Sequence, residues 1–181
     1  DMMQLRYQQR RLEEAYKIFQ SLMRLYPTME DKDLKGQSAM MRAAILVFEH
    51  HPSFSMISFI TQWGITRLAD EDWTTGQSNG HPVPSTGMRI VGKVFKEVEA
   101  TPTVDVALRA APILAEALKY SPYNMNNQRY KAIVYRIMGK KDKAIEIYLR
   151  LISKHRQSYL FHELSNLLDD EQQKIALLCK A

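Results

Sequence analysis

The stretch "NNQRYKAIVYRIMGKKDKAIEIYLRLI", residues 126–152, decides the fold. Its apolar residues recur at helical spacing on both sides of Gly139-Lys140, which predicts helices at about 125–139 and 142–155. Within the second run Ala144, Tyr148 and Leu151 fall at offsets 0, 4 and 7. The same offsets occur 34 residues earlier at Ala110, Leu114 and Ala117, with Pro122 at offset 12. They occur again at Ala15, Phe19, Leu22 and Pro27. In both of these earlier segments a Tyr precedes the Pro, in "MRLYP" and "LKYSP". A small residue repeated at this interval lets antiparallel helices approach closely, and a larger residue four positions on fills the gap between neighbours.

Outward from that stretch the pattern stays helical. Leu12, Ala15, Phe19, Leu22 and Met23 mark a first helix closed by Tyr26-Pro27. A second is expected over 33–50, and a third over 54–63 with Ser53 as a candidate N-cap. Residues 65–73 read as a short helix or an irregular turn, with Trp63 and Trp73 as core anchors at the two ends of the middle segment. Residues 74–86, "TTGQSNGHPVPST", have no period and read as a loop. Further helices are expected from 85 to about 100, over 103–121, over 158–168 and over 170–181. Pro112 should open a new first turn or kink the 103–121 run. No segment alternates as a strand does.

The segment 126–152 resembles a tetratricopeptide repeat, with Tyr135, Gly139, Ala144 and Tyr148 at the family's signature places. Ala110 to Pro122 resembles the second helix of the preceding repeat, and 159–181 a shortened following one with Ala176 in the small-residue role. The sequence departs from the family pattern where Gln128, Lys131 and Ala132 replace the usual Trp and Leu-Gly, and no resemblance covers 53–100. A narrower resemblance is carried by Lys131-Ala132, Gly139 to Ala144 and Leu177 to Ala181. It is to helical-repeat proteins associated with bacterial TOTE conflict systems, whose repeats sit beside small β-barrel nucleic-acid-binding domains. That resemblance implies a barrel outside this chain.

Composition agrees with a globular helical protein. The 181 residues are 45% hydrophobic and 25% charged, and breakers are few outside the Gly/Pro-rich stretch 76–87. Cys179 is the single cysteine, so neither an internal disulfide nor a Cys-based zinc site can form. The longest apolar run, Ala43 to Phe48, is far short of the ~18 residues of a membrane span. These features fit a cytoplasmic protein that does not enter membranes. The chain opens on Asp1 and stops at Ala181 inside a helical pattern, as an excised fragment would.

One pattern invites a catalytic reading. Gly76-Gln77-Ser78-Asn79-Gly80 spells the G-x-S-x-G of a nucleophile elbow, which needs a strand before the Ser and a helix after it. "ITRLADEDW" before it has no strand character, and the prolines of "HPVPS" after it block a helix. The match is read as accidental. Asp70, Glu71, Asp72 and His81 lack the spacing of a metal site and read as an exposed acidic turn. No metal, cofactor or catalytic residue is expected.

Charge is the strongest remaining signal. Residues 129–156 hold nine Lys or Arg against Asp142 and Glu146, a net +7 in 28 residues where the whole chain has +5. Arg129, Arg136 and Lys140 share one helix face, and Lys143, Arg150 and Lys154 share a face of the next. The tetratricopeptide resemblance implies that first helices line a groove, making Asn126, Arg129, Ile133 and Arg136 groove residues, with Lys140 at the end of the row. The charges read equally as a solvated outer face. Tyr130, Tyr135, Tyr148 and Tyr159 interleave with them; Tyr135 and Tyr148 fall at packing positions, and Tyr130 stays open between packing and stacking. The acidic residues Glu163, Asp169, Asp170 and Glu171 can pair with the basic helices.

The expectation is an all-α protein of stacked antiparallel hairpins in a short superhelix with an irregular middle: helices over 1–73, a loop at 74–86, and hairpins over 87–181 in one continuous domain. The expected function is a non-catalytic scaffold holding a peptide or helix in the groove. The alternative is a module binding single-stranded nucleic acid on the basic 129–156 face. Leu177 and Leu178 are expected to support a dimer through the C-terminal helix.

Overall fold

The computed structural model describes residues 2–25, 34–78 and 80–180. Their contacts divide the chain into unit 1, Asp1–Glu97, and unit 2, Val98–Ala181. The division falls inside the helix that runs from Thr86 to Ala100.

Unit 1 opens with α1 (Met2–Leu25), α2 (Leu34–His50) and α3 (Met56–Trp63). The Tyr26-Pro27 stop expected after α1 lies outside the described residues. Phe19 fixes α1 to the rest of the unit: it is 3% exposed, and its ring lies 5.7 Å from those of both Phe54 and Phe59. Leu12 and Leu22, from the same periodic row, are 38% and 46% exposed, so only part of that face is covered. The N-cap of α3 is Ser55 and not Ser53, which shortens the helix by two residues. The Ser55 hydroxyl accepts from the Ser58 N–H and donates to Glu97, while Ser53 bonds the His51 ring.

Residues 65–73 form two 3-10 turns, Ile65–Arg67 and Asp70–Trp73. The acidic turn is not wholly exposed: Asp72 is 7% exposed, accepts the Ser38 hydroxyl and faces Arg42 at 3.5 Å. A buried carboxylate needs such partners, and these tie the turn to α2. Trp63 and Trp73 are both core residues, 2% and 6% exposed.

The segment read as a loop contains a hairpin, β1 (Gly76–Ser78) and β2 (His81–Val83), paired Gly76↔Val83, Gln77↔Pro82 and Ser78↔His81. Asn79-Gly80 is the sequence of a tight hairpin turn, and Gly80 has the required positive φ of 77°. Ser78 is thus followed by a second strand, whereas an elbow needs a helix. Then α4 (Thr86–Ala100) begins, capped by Ser85, whose hydroxyl accepts the Met88 N–H. On its first turn Gly87 admits the Trp73 ring, since a Cβ there would stand 2.4 Å from it.

Unit 2 holds the end of α4, then α5 (Val104–Tyr120), α6 (Met125–Ile137), α7 (Lys141–Lys154), α8 (Ser158–Ser165) and α9 (Glu171–Leu178). α5 runs through Pro112 with no new start: Thr103 is its N-cap, accepting the Val106 N–H, and Pro112 stands inside the helix. α5 packs on α6, α6 on α7, α7 on α8 and α8 on α9, so each hairpin stacks on the next. Asn127 joins α6 to the end of α5: wholly buried, it donates to the Ser121 carbonyl at 3.2 Å. Gly139, at φ 71°, closes α6 and lets the chain reverse in one turn; the Lys140 N–H donates to the Tyr135 carbonyl at 2.8 Å. The core of the α6–α8 region is Ala132, Ala144, Ile147, Tyr148, Leu151, Leu160, Leu164 and Leu167. The small-residue positions diverge. Ala110 and Ala144 are fully buried, while Ala15 and Ala176 are exposed. The fold is all-α apart from the small hairpin.

Candidate functional site

Arg129 is the centre of the charged site. It lies near the middle of α6, and a first-helix face there looks toward α8 and the last turn of α4. Its Nε donates to Glu163 Oε1 and Oε2 at 2.9 and 3.0 Å, and its Nη2 reaches Glu163 as well as Glu99 at 2.5 Å. The bidentate fork matches the flat carboxylate, which is why Arg suits this place better than Lys. The Arg129 side chain is only 19% exposed and that of Glu163 15%. Burial alone would lower the Arg129 pKa; the bonds from Glu163 and the charge of Glu99 outweigh it and hold the guanidinium above its ordinary value.

Two rings flank this centre. The guanidinium carbon stands 5.4 Å from the Tyr159 ring and 5.9 Å from the Tyr130 ring. Tyr159 also reaches the Met125 sulfur, at 3.7 Å. Tyr130 is half-buried, and burial pushes its phenol pKa up, with the Arg129 charge opposing. Beneath lies Tyr148, fully buried, its hydroxyl beside Glu163 without a hydrogen bond of ordinary geometry. Burial, and then the Glu163 charge, push that phenol well above its usual range.

The expected groove residues divide into three groups. Ile133 is corrected outright: at 1% exposure it is core and presents nothing to a partner. Arg129 is at the surface but saturated by two carboxylates. Asn126 and Lys140 are exposed and Arg136 half-buried, and among the described residues no carboxylate pairs with Arg136 or Lys140. On the basic face Lys143 stands 5.8 Å over the Tyr135 ring, and Arg150 faces Glu146 at 3.5 Å with both exposed. Lys154 and Arg150 line a cleft of about 170 Å³ that also holds His155 and Tyr123, the latter 90% exposed.

The acidic residues do pair inside the unit: Glu163 with Arg129, Asp169 with Lys141, and Glu171 with Lys174 at 3.3 Å, while Asp170 caps α9. Sequence reasoning put Glu163 outside the site and missed Glu99. For Glu163 a signal existed, since it stands 34 residues beyond Arg129, as Tyr159 stands beyond Met125. Glu99 falls on no repeat position. Among the described residues no cluster of His, Cys, Asp and Glu is arranged to hold a metal, and no helix is long and apolar enough to cross a membrane.

Residues 128–158 match the tetratricopeptide repeat family. The solved structure of the "MamA RS-1 ArsTM double mutant" is similar at 14% identity, over 93% of this chain and 91% of that one, with a TM-score of 0.37. That likeness is too slight to carry an argument. A comparison with curated proteins gave no match. None of these findings bears on the resemblance to conflict-system proteins. Stacked hairpins of this kind generally serve as non-catalytic protein-interaction scaffolds. The matched segment runs from α6 through α7 to the first residue of α8, so the α6–α7 hairpin of unit 2 is tetratricopeptide-like.

Proposed function

We propose that unit 2 is a scaffold that holds a peptide or helix against the first-helix face of α6 and α8. The observation that carries this reading is the unpaired state of Arg136 and Lys140 beside the saturated Arg129 centre, among the described residues. Arg129, Glu163 and Glu99 make a preset floor, flanked by Tyr130 and Tyr159. Arg136, Lys140 and Asn126 are then the groups left to meet a partner, and their charge favours an acidic one.

Arg129 is a poor test residue, because replacing it strands two carboxylates. Arg136→Glu with Lys140→Glu is the better variant. Peptides selected from a displayed random library on the whole chain should lose about tenfold or more in affinity for this variant, equivalent to ~1.4 kcal/mol, with the helical circular-dichroism spectrum kept. Unchanged affinity of every selected peptide sinks the assignment.

A second reading rests on the Tyr123, Arg150, Lys154 and His155 cleft, where an exposed ring stands among cations as in a stacking platform for single strands. A labelled single-stranded oligonucleotide titrated at 50 and at 200 mM salt decides it. Binding that weakens steeply with salt and is lost in Arg150→Glu with Lys154→Glu supports the nucleic-acid role. Absence of binding at low salt removes it.

A further inference from the structure

Unit 1 carries a groove that neither the repeat nor the basic face accounts for. α1 and the segment leading through α3 line a cleft of about 620 Å³. Its floor is aromatic. The Phe54 ring stands edge-on to Tyr16 at 6.3 Å and lies 5.8 Å from Phe59, which is 2% exposed. Gln20 follows Tyr16 by four residues on α1, and Gln62 follows Phe59 by three on α3, so each carboxamide shares its ring's helix face. Both glutamines line the cleft, and no hydrogen bond within the described residues engages either carboxamide. Arg24, one further turn along α1, is the charged residue of the lining and is likewise without an ion pair among the described residues.

We propose that this groove binds an extended peptide segment, with a large apolar side chain on the Tyr16–Phe54–Phe59 floor and an acidic side chain at Arg24. A carboxamide offers one donor edge and one acceptor edge, which is what a peptide group presents in return. Two of them facing an aromatic floor therefore suit a backbone with an anchor side chain, as in other recognition of extended chains. A nucleic-acid strand would meet one cation where it needs several. The spacing follows from the helix. Tyr16 and Arg24 are eight residues apart, about 12 Å at 1.5 Å per residue, and an extended chain covers that in roughly three or four residues. The acid thus stands three or four positions from the apolar anchor.

The test uses the whole chain and the same displayed random library. Selected peptides should include a class with an aromatic or large aliphatic residue three or four positions from Asp or Glu. That class should lose about tenfold in affinity with Arg24→Glu and, separately, with Gln20→Leu plus Gln62→Leu, which keeps the bulk and removes the hydrogen bonding. N-methylation of the peptide between anchor and acid should cause a similar loss. Arg136→Glu with Lys140→Glu should leave this class untouched, so the fate of the unit 2 reading is separate. Circular dichroism checks that each variant stays helical. Failure to recover the class, or its indifference to Arg24 and to the two glutamines, overturns the proposal. Peptides sensitive to the aromatic floor yet indifferent to N-methylation overturn it too, since they show an apolar slot and no backbone recognition.

Discussion

The α6–α7 and α8–α9 hairpins stand one repeat apart, and their first helices keep that register: Arg129 meets Glu163 and Met125 meets Tyr159, each pair 34 residues apart. Their second helices do not. α7 buries Ala144, Ile147, Tyr148 and Leu151, whereas α9 buries no residue, and Leu178, 34 positions beyond Ala144, is 47% exposed. The cause is length and neighbours. α7 has 14 residues and packs on both α6 and α8, while α9 has 8 and packs on α8. A helix with two turns covered on one side cannot bury a full stripe, whatever its spacing. Register therefore fixes which side chains meet between first helices, and the number of packed neighbours fixes where the stability resides.

The largest expected effect tests that division. Tyr148→Ala removes a fully buried ring and should destabilise unit 2 by roughly 3–5 kcal/mol in urea unfolding followed by circular dichroism. Leu178→Ala, 34 positions beyond Ala144 at the exposed end of α9, should stay within about 0.5 kcal/mol of the parent. Similar losses at the two positions would break the comparison and place real core around α9.

The same contrast explains what the sequence made legible. The 34-residue spacing identified α5 to α7, because there a small residue and its partner four positions on are both packed: Ala110 with Leu114, and Ala144 with Tyr148. The identical spacing at Ala15 and Phe19 was half informative, since Phe19 is buried and Ala15 is not. Helix existence was readable throughout, for apolar periodicity reports amphipathic faces directly. Caps were less so: Ser53 and Ser55 are chemically the same residue, and only the position of Glu97 across the unit gives Ser55 its second bond. The hairpin at 76–83 was written in Asn79-Gly80 but hidden by the brevity of its strands. For the site, a count of charges found the basic region and could not tell saturated Arg129 from open Arg136. That distinction depends on Glu99 and Glu163, which tertiary packing brings in.

A smaller effect sharpens the first-helix half of the comparison. Removing Glu163 by Glu163→Ala leaves Arg129 with Glu99 alone and should cost about 1–3 kcal/mol. Arg129→Met should cost a similar amount, and the double variant less than the sum, with a coupling of roughly 0.5–3 kcal/mol. The gain in the double variant is expected because each single change leaves a largely buried charge short of a partner, which costs more than the lost attraction. Strict additivity would mean that the two residues do not act as a pair and that the register between α6 and α8 is carried by apolar contacts alone.

The smallest effect at neutral pH belongs to the Tyr148 hydroxyl, and it grows only in alkali. Burial first, and the nearby Glu163 charge second, raise the folded-state pKa of this phenol. Its unfolded pKa is near 10. The folded state thus holds the proton more tightly, so the stabilising contribution is complete below about pH 10 and is lost as pH rises from there through the folded-state value. Tyr148→Phe keeps the ring and removes the titration. Between pH 7 and 9 the two proteins should show parallel urea midpoints. Above about pH 10 the parent should lose stability faster than Tyr148→Phe, by up to ~1.4 kcal/mol per pH unit. Glu163→Gln should lessen that difference without abolishing it, because burial is the larger cause. Midpoints that remain parallel through pH 11 would mean that water reaches the hydroxyl, and α7 would then be no better packed at this point than α9.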